Sequence, residues 1–348
     1  MSAVGATRRC ARAIALPEPR GAWSERLFAA LLEEPHAQLD LAGLPAVDDA
    51  LGDDDLQLAL YVAYELHYAA VEHVDERWEW SPELLRFRAE LERRFDEALA
   101  ALVGPAVREA DTLDVGGALQ RLVACDDGPP LSRYLETQGT LEQMLEHVIH
   151  RSAYQLKEAD PHSWAVPRLA GEIKAALLEI QFDEYGGGRA ERMHSTLFAN
   201  TMRALGLDCA YGSYVGVLPG ITLATVNLIS RFGLHRHRRG ALVGHLAVFE
   251  MTSCVPNRRY GNALRRLGFG PRATGFYDEH VEADAVHESV AAWDLADGLA
   301  RAEPDLAADI LFGAHALLAL EARWAQHLLS CWRAGESSLR ARVPMPLT

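Results

Sequence analysis

The segment YDEHVEADAVHE, residues 277–288, is the feature that most limits how this chain can fold. His280, Asp284 and His287 follow one another in steps of four and three residues, so they share one stripe of an α-helix. Tyr277 continues that stripe, and we therefore expect it to face inward. Burying a carboxylate between two imidazoles is costly unless another group compensates. An iron, manganese or zinc ion would do so, whereas a hydrogen-bonded His–Asp–His network on a solvated face would need no metal.

The composition of the remaining chain predicts an all-α fold. Ala, Leu, Glu and Arg dominate the 348 residues, and runs of β-branched residues are scarce. Periodicity and caps place helices at about 24–33, 55–76, from Pro82 onward, 138–158, 165–185, 190–205, 220–232, 239–254, 276–296 and 305–333. Breaks are expected at Asp160-Pro161, Gly186-Gly187-Gly188, Gly206, Gly233, Pro256 and Pro304.

Composition also suggests how the chain is divided. Residues 1–22 are interpreted as a flexible tail, and residues 23–130 as an accessory N-terminal helical region. The stretch DDGPPLSR, residues 126–133, is typical of a linker. The main helical domain then covers residues 131–334, and residues 335–348 form a C-terminal tail.

The net charge and the spacing of the cysteines argue against several classes of partner and site. A formal net charge of −15 repels nucleic acid and anionic membranes. The apolar run at 214–229 is interrupted by Pro219-Gly220, so we do not interpret it as a membrane span. The five cysteines are widely separated and have no CxxC spacing, which argues against a disulfide framework or a thiolate zinc site. A reducing cytoplasm is the simplest setting.

Two further candidate ligands lie on either side of a run of glycines. Glu184 continues the apolar stripe of Ile173, Leu177 and Ile180, so it is either a buried acid or a rim residue. On an unbroken helix, His194 would lie roughly 15 Å further along the axis. The three glycines at 186–188 break the helix and permit a tight reversal, which would allow both side chains to reach one site.

Two other acids have less specific signals. Glu158 closes a helix just before Asp160-Pro161, where a solvated carboxylate is the simpler interpretation. Glu250 lies on an apolar stripe with Val243 and Leu246. It is a candidate for supporting a ligating histidine or for binding a substrate ammonium, with a salt bridge inside the bundle as the alternative.

Other metal-binding patterns fit less well. A ferritin-like plan would use Glu158, Glu191-x-x-His194, Glu250 and Asp284-x-x-His287, but it leaves His280 without a role. No HExxH zinc motif is present. Glu65 and His73 are about 12 Å apart on a straight helix, so the segment YELHYAAVEH is interpreted as structural.

The set Glu158, Glu184, His194, His280, Asp284 and His287 resembles the haem-oxygenase-like di-iron oxidases and oxygenases. The closing H-x3-D-x2-H is its most specific element, and the Glu-x9-His of residues 184–194 is similar to that of N-oxygenating members. The resemblance covers about residues 135–330. It implies a haem-oxygenase-like helical bundle, with additional N-terminal helices, that holds two Fe ions, Fe(II) or Fe(III), in place of haem. One iron would take Glu184 and His194, the other His280, Asp284 and His287, and Glu158 would bridge them.

The function expected from this resemblance is an O2-using di-iron oxygenase or oxidase acting on a small metabolite. N-oxygenation of an amine or guanidine-like nitrogen is the first choice. Oxidative C–C cleavage or desaturation of an amino acid or fatty acid, a ferritin-like ferroxidase, and a metal-free binding module remain alternatives. We expect no catalytic side chain beyond the ligands, an external electron donor as a further partner, and a homodimer formed with the help of the N-terminal helices.

Overall fold

The computed structural model describes residues 13–35, 37–105 and 112–343, and within them the side chains of residues 282–286 are not described. Its helices are α1 (Ala22–Leu31), α2 (Asp54–Glu65), α3 (Pro82–Val103), α4 (Val115–Ala124), α5 (Leu131–Thr137), α6 (Leu141–Gln155), α7 (Gly171–Glu184), α8 (His194–Ala204), α9 (Gly220–Leu234), α10 (Arg239–Arg266), α11 (Pro271–Ser289), α12 (Gly298–Ala302) and α13 (Ala307–Arg333). A π-helix, Val290–Asp297, joins α11 to α12, and two short strands, β1 (Ala13–Ile14) and β2 (Ala70–Val71), pair in parallel. The predicted all-α fold is confirmed.

Local sequence signals explain several helix starts. Pro82 occupies the first turn of α3 directly after Ser81, as the sequence predicted. Asp53 caps α2 by accepting hydrogen bonds from the backbone N–H groups of residues 55 and 56. Thr140 and Gln143 form a capping box at the start of α6, so the helix that leads to Glu158 begins at a defined residue.

Three of the differences from the predicted helix boundaries affect the interpretation of the fold. Helix α2 ends at Glu65 rather than near residue 76, and the chain then turns into β2. Helix α5 begins at Leu131, inside the predicted linker. The break predicted at Pro256 was wrong, because α10 continues to Arg266. Proline removes one intrahelical hydrogen bond, but packing of α10 against both α11 and α13 keeps the helix continuous.

Helix α10 runs through the middle of the bundle and approaches α13 closely. The approach depends on two glycines. A Cβ atom on Gly244 would overlap the Ile310 carbonyl of α13, and a Cβ on Gly313 would overlap the Ala241 carbonyl of α10. The backbones therefore pack in direct contact, which fixes the position of Glu250 farther along α10.

The N-terminal region is tied to the rest by a closed ion pair. The Lys157 ammonium pairs with Glu65 at the end of α2, and neither side chain is exposed (0% each). Tyr211 donates a hydrogen bond of 2.5 Å to the other carboxylate oxygen of Glu65. Breaking such a pair leaves an uncompensated buried charge. Because Lys157 precedes Glu158, this pair helps to fix the backbone that carries Glu158.

Parts of both predicted tails lie within the described residues and are packed. Ile14 is buried in the core, and Ser338 donates both its backbone N–H and its hydroxyl to the buried carboxylate of Glu146 on α6. Residues 1–12 and 344–348 lie outside the described residues. In the part of the chain that is described, no helix combines the length and apolar character needed to span a membrane.

Replacing Gly244 by alanine tests the close approach of α10 and α13. Overlap with the Ile310 carbonyl should lower the free energy of unfolding by about 1–3 kcal/mol. The matched control is Gly275→Ala on α11, where a Cβ would meet nothing within 4 Å. That change should raise the free energy of unfolding by up to about 1 kcal/mol, since alanine favours helix. Urea unfolding followed by circular dichroism measures both, and equal effects would contradict the packing argument.

Candidate metal centre

Six buried side chains from five parts of the chain converge between the helices. They form two sets, and within each set the candidate ligand atoms lie within 4.8 Å of one another. The first set is Glu158, Glu184, His194 and His280, and the second is Glu184, Glu250 and His287. Glu158 follows the end of α6, Glu184 ends α7, and His194 begins α8. Since Glu184 belongs to both sets, the two form one continuous cluster.

The glycine run brings Glu184 and His194 together. Gly186, Gly187 and Gly188 all have positive φ (68°, 62° and 78°), the left-handed region that side-chain-bearing residues rarely adopt. A Cβ on Gly186 would lie 2.5 Å from the backbone nitrogen of Met193. The chain thus reverses within a few residues, and His194 Nδ1 lies 3.0 Å from Glu184 Oε2. The predicted reversal is present.

The candidate ligand atoms lie within ion-pair distance of one another, but three of them make no hydrogen bond within the described part of the chain. Glu184 Oε2, His194 Nδ1 and His287 Nδ1 are buried, and none has a hydrogen-bond partner among the described residues. The close contact of Glu184 with His194 does not have hydrogen-bond geometry, and His287 Nδ1 is 3.4 Å from Glu250 Oε2. Buried polar atoms are almost always satisfied. Cations held by the two sets would satisfy all three.

Hydrogen bonds orient two of the imidazoles. Nδ1 of His280 donates to the Phe276 carbonyl over 2.8 Å, which leaves Nε2 facing Glu158 at 3.5 Å. Nε2 of His287 donates to Asp183 over 3.1 Å, which leaves Nδ1 facing the cluster. Ligating histidines commonly donate their second N–H to a carbonyl or carboxylate in this way.

Comparison with known proteins identifies the family. The model of a family described as iron-containing redox enzymes matches residues 145–322, just over half of the chain. The chain belongs to this family. It is therefore an oxidoreductase, and the predicted haem-oxygenase-like fold is confirmed. A nitrosourea synthase from Streptomyces achromogenes subsp. streptozoticus is 27% identical over 150 residues, which are 43% of this chain. The match spans 32% of that relative's length.

The charges of this iron-containing redox enzyme suit a bound cation. Burial raises the pKa of both Glu158 and Glu250. Burial also acts to raise the pKa of Glu184, but the charges of His194 and the other two imidazoles outweigh it and lower that pKa to about 2. For His287, burial acts to lower the pKa, yet Glu250 and then Asp183 raise it to about 9. Protons thus compensate the buried carboxylates in the metal-free cluster, and a metal ion would replace them.

The resemblance implied that His280, Asp284 and His287 hold one iron. Among the described side chains, the ligand atom of His280 lies within 4.8 Å of those of Glu158, Glu184 and His194. Glu184, and not Glu158, is common to both sets. The side chain of Asp284 lies outside the described residues.

Two acids outside the predicted ligand set have informative positions. Glu250, predicted to act behind a ligand or on substrate, lies at ligand distance from Glu184 and His287. Glu191, a ligand in the ferritin-like plan, is exposed and belongs to neither set.

Sequence reasoning missed Asp183. On helical spacing Asp183 falls on a different face from Glu184, and its side chain is 53% exposed. Nevertheless, its Oδ2 accepts the hydrogen bond from His287. The only signal was its adjacency to a candidate ligand, because helical periodicity cannot show which neighbouring helix an exposed side chain contacts.

Chemically, the cluster fits iron. Imidazole nitrogen and carboxylate oxygen are the ligand types that iron takes in non-haem sites. Three buried ligand atoms have no hydrogen-bond partner among the described residues, and the second nitrogens of His280 and His287 are already occupied. The donor set could hold two ions that share Glu184, and the comparisons agree with iron as the metal.

A cavity of about 380 Å³ adjoins the cluster. Glu158 and His280 line this cavity, together with residues of the loop at 126–130. Phe198 and Phe276, which also line it, form an edge-to-face pair with ring centroids 5.0 Å apart. A small molecule in the cavity would therefore lie against two of the candidate metal ligands.

Asp183→Asn tests the carboxylate behind His287. Without the charged acceptor, His287 should hold a metal less firmly, and we expect Fe(II) affinity to fall by about 10–100-fold. Glu179→Gln is the matched control, since Glu179 is exposed one turn earlier on α7. Anaerobic Fe(II) titration measures both variants. Unchanged affinity in Asp183→Asn would contradict this role.

Proposed function

We propose that this enzyme binds two iron ions between its helices and uses O2 to oxygenate a nitrogen atom of a small metabolite. The observation that carries the proposal is the shared position of Glu184 between two buried ligand sets. A carboxylate can bridge two metal ions with its two oxygens. The family match supports iron as the metal.

Each set then has a defined task. Glu158, His194 and His280 would hold one iron, Glu250 and His287 the other, and Glu184 would bind both. Ferrous iron bound there would supply electrons to O2. The rings of Phe198 and Phe276 pack beside His280, whose ring centroid lies 4.3 Å from that of Phe276, and would exclude water from that side of the site. Asp183 and the Phe276 carbonyl fix the imidazoles.

Nitrogen is the proposed target because of the relative. A nitrosourea, named as the product of that relative, carries an oxidised nitrogen. For a primary amine, one O2, two electrons and two protons give a hydroxylamine and water. The two electrons come from an external donor, which is the partner expected from the sequence. The cavity of about 380 Å³ is large enough for a small metabolite beside the ligands.

A ferritin-like ferroxidase is less well supported. It requires Glu191 as a ligand, but Glu191 is exposed in the short 3-10 helix before α8. It also leaves His280 dispensable, whereas His280 lies in the first ligand set with its Nδ1 bonded to the backbone. The opposite roles that the two functions give to Glu191 and His280 provide the test.

Iron counting separates these functions. The anaerobic parent protein should take up two Fe(II) per chain and then consume O2, followed with an oxygen electrode. His280→Ala should lose at least one iron and most O2 consumption, while the control Glu191→Ala should match the parent. If His280→Ala still binds two irons and Glu191→Ala loses iron, the result would favour the ferritin-like plan. No iron uptake by the parent would rule out the proposal.

The target nitrogen is tested separately with isotope labelling. Iron-loaded protein, a chemical reductant and a panel of small amines and guanidines react under 18O2, and mass spectrometry records the products. We expect a product that contains one 18O atom bound to nitrogen. Label found only on carbon, or O2 consumption without any labelled product, would exclude N-oxygenation and leave the iron site unaffected.

A further inference from the structure

One face of α6 lines the cavity from its middle to the metal end. His147, Arg151 and Gln155 follow one another at four-residue intervals, so they share a stripe of the helix, and all three line the cavity. With its nitrogen turned toward Glu158, the Gln155 amide donates to Oε1 over 2.6 Å. A molecule that contacts Arg151 could therefore extend along Gln155 to the candidate metal ligands.

Arg151 forms an ion pair that is open to the cavity. Its two terminal nitrogens donate to the two oxygens of Glu321 on α13, over 2.8 and 2.6 Å, and its guanidinium carbon lies 3.9 Å from the centre of the Trp324 ring. The two side chains are 19% and 25% exposed, and both line the cavity. The Lys157–Glu65 pair, in contrast, is completely closed (0% each). The Arg151 pair remains accessible to a ligand.

The pair retains hydrogen-bonding capacity. A guanidinium has five N–H donors, and each carboxylate oxygen has two lone pairs, so the two bonds between them use only part of each group. Nearby, Nδ1 of His147 is buried and has no hydrogen-bond partner among the described residues. The His147 side chain is 1% exposed, and its ring lies 4.3 Å from that of Tyr260, which also lines the cavity. The open ion pair itself therefore has donors and acceptors available to a polar ligand group.

We propose that Arg151 and Glu321 form the binding site for the zwitterionic head of an α-amino acid substrate. The substrate carboxylate binds the free N–H groups of Arg151, the ammonium binds Glu321, and the substrate side chain extends past Gln155 toward Glu158. An anion alone would be repelled by Glu321, and a cation alone by Arg151, whereas a zwitterion complements both. The inference rests on the proposed function, because the metal cluster supplies the reactive end of the cavity.

The dimensions match a substrate side chain of moderate length. Arg151 and Gln155 are four residues apart, so their Cα atoms differ by about 6 Å along the helix axis. An unbranched chain of four carbons beyond the α-carbon covers roughly this distance. Norleucine has such a chain and no second charge that would bind to the carboxylate cluster. Hexanoate and pentylamine have closely similar chains, but each lacks one of the two head charges.

Binding of these three molecules to the metal-free, full-length protein tests the head site directly. Isothermal titration calorimetry should show that norleucine binds at least tenfold more tightly than hexanoate and pentylamine. In Glu321→Gln, norleucine should bind at least tenfold more weakly, because its ammonium loses a charged partner, and hexanoate should bind no more weakly than in the parent. In Arg151→Gln, norleucine and hexanoate should bind more weakly than in the parent, and pentylamine should bind no more weakly.

The control variant is Asp96→Asn. Asp96 accepts two bonds, of 3.0 and 2.7 Å, from Arg231 in a similarly partly buried pair that does not line the cavity. Its norleucine binding should equal that of the parent. Circular dichroism checks that each variant is folded, and the comparison of the three molecules on the parent protein needs no variant at all.

Two outcomes would overturn the head site. One is equal affinity of the parent for norleucine and hexanoate or for norleucine and pentylamine, including no binding of any of the three. The other is unchanged norleucine binding in folded Glu321→Gln. Iron uptake separates this inference from the proposed function, since Glu321→Gln should still bind two Fe(II) per chain. Loss of norleucine discrimination with iron uptake intact defeats only the head site, whereas absence of iron uptake by the parent defeats the proposed function.

Discussion

The structure depends on the burial of several carboxylates and imidazoles at one point between the helices. Glu184 lies at the centre, because it belongs to both ligand sets. Carboxylates of like charge at such distances repel one another, and burial makes this repulsion stronger. Protons on the histidines offset it in the metal-free protein, as the pKa of about 9 for His287 indicates. Two metal cations would offset it better, so the cluster is suited to binding them.

The surrounding fold holds these groups in place by backbone contacts that leave little freedom. Gly186 permits the reversal between α7 and α8, and Gly244 permits direct contact between α10 and α13. The closed Lys157–Glu65 pair joins the N-terminal helices to the backbone beside Glu158. Each of these three features fixes a segment that carries a candidate ligand. Together they bring side chains from distant parts of the chain to within a few ångströms of one another.

Two ion pairs of this enzyme, Lys157–Glu65 and Arg151–Glu321, differ in exposure, and the exposure distinguishes their roles. The Lys157–Glu65 pair is fully buried and stabilises the fold, while the Arg151–Glu321 pair lines a cavity that also contacts two candidate metal ligands. A sealed pair contributes no recognition, since nothing can reach it. An open pair is partly desolvated at a cost in free energy, but it offers both charges to a ligand. For this reason we propose that the head of the substrate binds there.

The sequence by itself determined the helical class, the glycine reversal and the inward-facing stripe of His280 and His287, because caps, breaks and periodicity are local properties. It also indicated Glu158, Glu184 and His194 as candidate ligands, although only the resemblance combined them into one ligand set. The tertiary structure alone decided that Glu184 is shared, that Glu250 lies at ligand distance and that the exposed Asp183 reaches His287. Helical periodicity tells which face a residue occupies; it carries no information about which other helix that face meets, at what depth or in what register.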